Sequence, residues 1–143
     1  MKNRKFQIHN ASGIIIVERK LLVTRKKGKE HFVSPGGQIE KGETPKETLI
    51  RELCEEVSIT VYKNDLDKFG TFYAEAAYDP GKLLRMDLFR VHSWKGDLLP
   101  SGVGEETIEE ILWINSKLSD RVKVGSIFEH EVIPRLKKLD LID

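Results

Sequence analysis

Short apolar runs separated by polar turns set the rhythm of most of this chain. "SGIIIV" and "LLVT", divided by the polar "ERK", predict the two strands of a hairpin. "HFV" follows and stops at "SPGG", a cluster that breaks regular structure. Later, "KFGTFYAEAA" and "LLRMDLFRVHSW" predict strands flanking "YDPG", where Asp and Pro start a turn and Gly relaxes its exit. "LLPSGVGEET" reads as a loop, and "EEILWI" as one more strand. Two segments change the period. Leu49, Leu53 and Val57 recur every four residues and, with Ile50, make the apolar stripe of a helix. Its start is well marked, because Thr44 can cap, Pro45 suits the first helical position and Glu47 completes a capping box. Between Ser126 and Leu139, Ile127, Val132, Ile133, Leu136 and Leu139 again fall at helical spacing, and Pro134 predicts a kink or a restart there. Strands outnumber helices, and strands follow the central helix. That order predicts an α/β (α+β) fold, with a mixed β-sheet packed between helices. There is no repeat or linker, so residues 1–143 are expected to form a single domain.

The polar side of the central helix carries the chemistry. At 100° per residue, Glu52, Glu55 and Glu56 fall within roughly one quadrant, away from the apolar stripe and beside Arg51. Like charges at these spacings repel by a few tenths of a kcal/mol per pair. A solvated face tolerates that cost, whereas a bound divalent cation removes it. Hard cations such as Mg²⁺ take oxygen ligands, typically one or two carboxylates together with waters and substrate phosphates. The preceding "PGGQIEKGE" favours the cation, since it adds backbone groups, Glu40 and Glu43 directly before the helix.

Gly37, Glu43, Arg51, Glu52, Leu53, Glu55, Glu56 and Ile59 together resemble the Nudix box: Gly, five residues, Glu, seven residues, then Arg-Glu-aliphatic-x-Glu-Glu-x-Gly-aliphatic. Six fixed identities at about 7% usage each would coincide by chance on the order of 10⁻⁷ per starting position. Ser58 departs from the pattern, which has glycine there. Serine in a left-handed helix exit carries a penalty of about 1 kcal/mol, so either Ser58 accepts strain or the helix leaves differently.

The resemblance implies an α/β/α sandwich, and the shortness of the chain favours the MutT-like members of the family. It also implies hydrolysis of a diphosphate linkage in a small-molecule nucleotide, with Mg²⁺, or Mn²⁺ in its place. Glu55 and Glu56 would then be metal ligands, with Glu52 a further ligand or the base that deprotonates water. The Gly36 carbonyl would be another ligand, while Arg51 and Glu43 support the loop and helix. Many members add a carboxylate from a late loop, which points to Glu105 or Glu106, since Glu109 and Glu110 already belong to the next strand. A nucleoside triphosphate is the leading substrate. ADP-ribose, a sugar nucleotide and a dinucleoside polyphosphate stay open, as does a binding module without turnover, although retention of all three helix carboxylates speaks against the last.

Arg25, Lys26 and Lys27 end the second strand, where basic residues of similar proteins meet phosphates, and Arg85 with Asp87 is a further candidate against substrate or water. Phe72, Tyr73, Tyr78 and Trp94 can stack on a base, but packing explains each more simply. Cys54 is expected to pack, and the scattered His9, His31, His92 and His130 receive no role. The charge balance, +1 from 24 basic and 23 acidic residues, does not suggest a nucleic-acid polymer as partner. No apolar run is long enough to span a bilayer, and "MKNRKFQIHN" lacks the apolar stretch of a signal peptide. With a single cysteine as well, a cytoplasmic location without membrane contact is expected; a homodimer is left open.

Overall fold

The computed structural model describes residues 5–76 and 79–143. Its first strand departs from the predicted hairpin. The run at residues 12–17 is divided between β1 (Ile8–Ile14) and β2 (Ile16–Val17), which lie in different sheets. The reason lies in Ile14 and Ile15, both fully buried but in separate cores, so the chain crosses from one sheet to the other there. The hairpin itself joins β2 to β3 (Lys20–Lys26), with Glu18 and Arg19 left-handed at its tip. The glycine cluster also differs from expectation. Gly36–Gln38 is a short strand, β4, paired antiparallel with β1.

The helix α1 (Pro45–Val57) starts as predicted, with Thr44 and Glu47 forming both hydrogen bonds of a capping box. After it come β5 (Leu66–Glu75), β6 (Leu83–Val91) and β7 (Ile108–Ile114). One sheet is mixed, in the order β4-β1-β6-β5 with β1 and β6 parallel; the other, β2-β3-β7, is antiparallel. Leu49, Leu53 and Val57 of α1 pack against Ala11, Phe89 and Val91 on one side. On the other side, Ile14, Met86 and Leu88 meet Phe128 and Val132 of a π-helical turn, together with Ile133 and Leu136 of α2 (Ile133–Lys138). Pro134 comes just after this π-helical turn, so the helical run is continuous and changes its hydrogen-bond pattern there instead of restarting. This is the expected α/β/α arrangement, built on two sheets rather than one. No helix among the described residues is long and apolar enough to cross a membrane.

Ser58 takes the left-handed conformation, φ 66°, with its N–H returned to the Leu53 carbonyl. The helix therefore exits as it would with glycine. The Ser58 hydroxyl donates to the Leu99 carbonyl at 3.2 Å, which offsets part of the strain.

Candidate active site

Glycine at 36 and 37 lets the loop before α1 lie against both β1 and the helix. A Cβ on Gly36 would stand 2.2 Å from the Ala11 carbonyl oxygen, and one on Gly37 would stand 2.5 Å from the Glu52 carboxyl carbon. A side chain at Gly36 would overlap the β1 backbone, and one at Gly37 would displace the Glu52 carboxyl. Arg51 ties the rest of the loop down. Its Nε donates to Glu43 Oε2 at 2.8 Å and its Nη2 to Glu43 Oε1 at 3.0 Å, the bidentate geometry that suits guanidinium and carboxylate. Arg51 Nη1 reaches Glu52 Oε1 at 2.8 Å, and Glu55 lies 3.6 Å from the same nitrogen. The Arg51 hydrogen bonds, with one from the Thr48 hydroxyl, hold the Glu43 carboxyl down at about 2.

The acidic quadrant is not a uniform solvated face. Glu55 is exposed and Glu52 half-buried, while Glu56 is only 3% exposed. Glu56 Oε1 accepts the Gly36 N–H at 2.8 Å, and Lys26 Nζ lies 3.7 Å from Oε2. These contacts do not offset its desolvation, and burial pushes the Glu56 carboxyl up to about 8. Burial also raises Glu52, against the opposing pull of Arg51. Burial would lower the Lys26 amine, but its hydrogen bond to Glu106 at 2.6 Å and the field of Glu56 outweigh that and raise it. A chain of contacts thus joins Gly36, Glu56, Lys26 and Glu106, drawing the late loop to the box.

All these groups open onto one cavity of about 1180 Å³. Glu40, Glu52, Glu55, Glu56, Glu105 and Glu106 line it, as do Gly36, Arg51 and Lys26; an apolar stretch includes Ile8, Leu84 and Met86. The volume suits a nucleotide-sized ligand. The donor chemistry fits a hard cation, because a buried carboxylate with its pKa raised is stabilised by added positive charge. In the present side-chain arrangement, no group of three His, Cys, Asp or Glu among the described residues is poised to hold an ion. Glu52 turns to Arg51 and Glu106 to Lys26 instead.

Other sequence candidates fall elsewhere. Lys26 faces the cavity, whereas Arg25, on the other side of a register shift in the β3–β7 pairing, does not line it; Arg25 pairs with Glu109 and Glu110 and covers the Phe32 ring. Arg85 is likewise out of register with the cavity-lining Leu84 and Met86. It lies over Phe6 and beside Asp87, and so is removed from the set around the cavity. Phe72 is in the core, and neither it, Tyr73 nor Trp94 lines the cavity; Tyr78 lies outside the described residues. Cys54 is exposed at the cavity wall, not packed. His9, given no role from sequence, bonds Asp87 at 2.5 Å, and His31 lines the cavity. The sequence pattern also passed over Asn10 and Ser34, two polar cavity residues whose signal is visible only as unmet hydrogen bonds.

Comparison with known proteins agrees with this geometry. A family profile, the NUDIX domain, matches residues 7–134. The 8-oxo-dGTP diphosphatase of Escherichia coli (strain K12) is 34% identical over 100 residues, covering 66% of this chain and 71% of that protein. The 8-oxo-dGTP diphosphatase of Buchnera aphidicola (subsp. Acyrthosiphon pisum) is 35% identical over 130 residues, covering 90% and 95%. The solution structure of the E. coli ORF135 protein superimposes with a TM-score of 0.71 at 18% identity, over 95% of this chain and 94% of that one. A structure of MutT described from Aliivibrio salmonicida and Vibrio cholerae gives a TM-score of 0.65 at 23% identity, over 91% and 95%. With box, sandwich and profile in agreement along the chain, it belongs to the NUDIX domain family as a MutT-like Nudix hydrolase.

Proposed function

We propose that this chain, acting as one catalytic domain, hydrolyses a purine nucleoside triphosphate oxidised at C8, releasing pyrophosphate and the nucleoside monophosphate. The observation that carries the reading is Glu56: a buried carboxylate, its pKa raised to about 8, beside five other glutamates on a nucleotide-sized cavity. The substrate class follows the relatives, which are 8-oxo-dGTP diphosphatases.

Glu55 and Glu56 with the Gly36 carbonyl would hold a divalent cation, Mg²⁺ in the first instance, leaving Glu52 as the base, and Glu106 is the better-placed late-loop carboxylate. When bound, such an ion neutralises the diphosphate and lowers the pKa of a coordinated water. The chain's own residues do the rest. Arg51, clamped on Glu43, fixes the loop and orients Glu52. Glu52, raised by burial, takes the proton as water oxygen bonds to phosphorus and the bridging P–O bond breaks. Lys26 sits where its charge meets the polyphosphate once Glu106 turns away.

The test is a panel of 8-oxo-dGTP, dGTP, other nucleoside triphosphates, ADP-ribose and dinucleoside polyphosphates with Mg²⁺, reading pyrophosphate against phosphate. Turnover highest on 8-oxo-dGTP with pyrophosphate released supports the reading. Preference for ADP-ribose or a dinucleoside substrate would overturn it.

A further inference from the structure

One ammonium group faces three carboxylates on the cavity wall. Lys26 Nζ lies 2.6 Å from Glu106 Oε2 and 3.7 Å from Glu56 Oε2, and its field also reaches Glu52. A bulge brings it there. Between Arg25 and Lys26 the β3–β7 register skips Glu109, so Arg25 pairs with Glu110 and Lys26 with Ile108. The loop that carries Glu106 is pinned at its base. Ile108 N–H donates to the Ser101 carbonyl at 2.8 Å, and Ser101 N–H donates to the backbone carbonyl of Glu56 itself at 2.9 Å. The Thr107 carbonyl accepts from Lys27 N–H at 2.8 Å. The backbone around Glu106 is therefore held, while its side chain is 70% exposed and can change partner by rotating.

A single positive charge does not complete this cluster. Lys26 hydrogen-bonds Glu106 but stands beyond hydrogen-bond distance of Glu56, which keeps one backbone donor. A divalent cation carries twice the charge and takes oxygen ligands at about 2.1 Å, closer than an ammonium approaches. Two cations cannot share the same carboxylate oxygens without repelling one another. We propose that Lys26 is the internal counter-ion of the metal-free cluster and competes with a divalent cation for Glu56 and Glu106. One lysine outside the box thus sets part of the metal affinity of the site. Lys26 gives up both carboxylates when a cation is bound, and its flexible stem carries the freed ammonium toward the polyphosphate. This exchange rests on the hydrolase reading above.

Mn²⁺ binding to the full chain without nucleotide tests it apart from turnover. The electron paramagnetic resonance signal of free Mn²⁺ is read for the wild type, Lys26→Met, Lys26→Arg and Lys29→Met. An apparent affinity is lowered by the fraction of protein whose ligands are engaged elsewhere, so Lys26→Met is expected to bind Mn²⁺ about fivefold or more tighter than the wild type. Lys26→Arg keeps the charge, and Lys29→Met removes a different cavity-lining cation; both should stay within about twofold of the wild type. Thermal melts give a second readout, since the rise in melting temperature with millimolar Mn²⁺ should be larger in Lys26→Met. A lysine that only holds the fold together would lower both melts of the variant and leave that rise unchanged, which would overturn the exchange. So would an unchanged or weaker Mn²⁺ affinity in Lys26→Met, or an equal tightening in Lys26→Arg or Lys29→Met. With Mn²⁺ still bound by the wild type, each of these results leaves the hydrolase reading standing. No Mn²⁺ binding by any of the four proteins overturns the cation site and the exchange together.

Discussion

Glu56 and Asp87 are both almost wholly buried, at 3% and 0% exposure, yet the fold treats them differently. Asp87 is surrounded. His9 Nε2 lies 2.5 Å away, Lys68 Nζ 2.7 Å, the Thr71 hydroxyl 2.8 Å and Arg85 3.4 Å. Burial alone would raise its pKa, but the hydrogen bonds from Lys68, His9 and Thr71 outweigh it and hold Asp87 well below its ordinary value. Glu56 has one backbone N–H at hydrogen-bond distance and a lysine 3.7 Å off, and its carboxyl rises to about 8. One buried acid is satisfied within the fold; the other is left short of positive charge. Under the proposed function, that contrast is between a structural carboxylate and one kept for a ligand.

The largest expected effect breaks the unsatisfied member. Glu56→Gln should lower pyrophosphohydrolase turnover by about 10²-fold or more, the scale of losing a charge-stabilising group at the reacting centre. Metal-free, it should fold at least as stably as the wild type. Steady-state kinetics and thermal melts check the two halves.

Asp87→Asn tests the other member and should do the reverse. Asp87→Asn weakens the hydrogen bonds of a buried group whose cationic partners are themselves partly exposed, costing about 1–3 kcal/mol of stability by urea denaturation. Since Asp87 does not line the cavity, protein that stays folded at low temperature should keep turnover near the wild type.

A gentler effect comes with pH, and the signs oppose. Asp87 has its folded pKa depressed, so its contribution is present above the ordinary 3.8 and is lost as pH falls below it. Glu56 has its folded pKa raised, so the folded state holds a proton that the unfolded chain has lost. Its burden therefore grows as pH rises from 4.5 to about 8. Metal-free wild type should lose stability across that window, and Glu56→Gln should flatten the slope. An unchanged slope in the variant would assign it to other groups.

The smallest effect lies outside the pair. Ser58→Gly relieves a left-handed serine at φ 66° but loses the hydroxyl's bond to Leu99, so a gain of no more than about 1 kcal/mol is expected, with turnover unchanged. A large loss of turnover would show that the helix exit shapes the site.

Periodicity and spacing alone carried α1, its capping box and the shared face of Glu52, Glu55 and Glu56, because each depends on residues close in sequence; the break expected at Pro134 is instead a π-helical turn within a continuous helix. What they could not carry depends on register between distant strands. Arg25 and Arg85 are candidate phosphate contacts by their place on the strands, but strand register, with a bulge between Arg25 and Lys26, leaves both off the cavity that Lys26 and Met86 line. The run around Ile14 and Ile15 looked like one strand because both positions are buried, though in separate cores. The helical wheel placed Glu56 on the polar side; its burial comes from β4 and the end of β3 closing over it, a contact between residues 20 and 30 positions apart. His9 receives no role from sequence and Asn10 is not singled out; only the pairing of β1 with β4 and β6 gives them a partner in one case and a cavity in the other.

The most direct test of the contrast is the melting temperature of metal-free wild type and Glu56→Gln at pH 8, without and with millimolar Mg²⁺. A proposed cation site at Glu56 predicts that Mg²⁺ raises the wild-type melting temperature and leaves Glu56→Gln nearly unmoved. A wild type indifferent to Mg²⁺, or a variant that gains as much as the wild type, would contradict it.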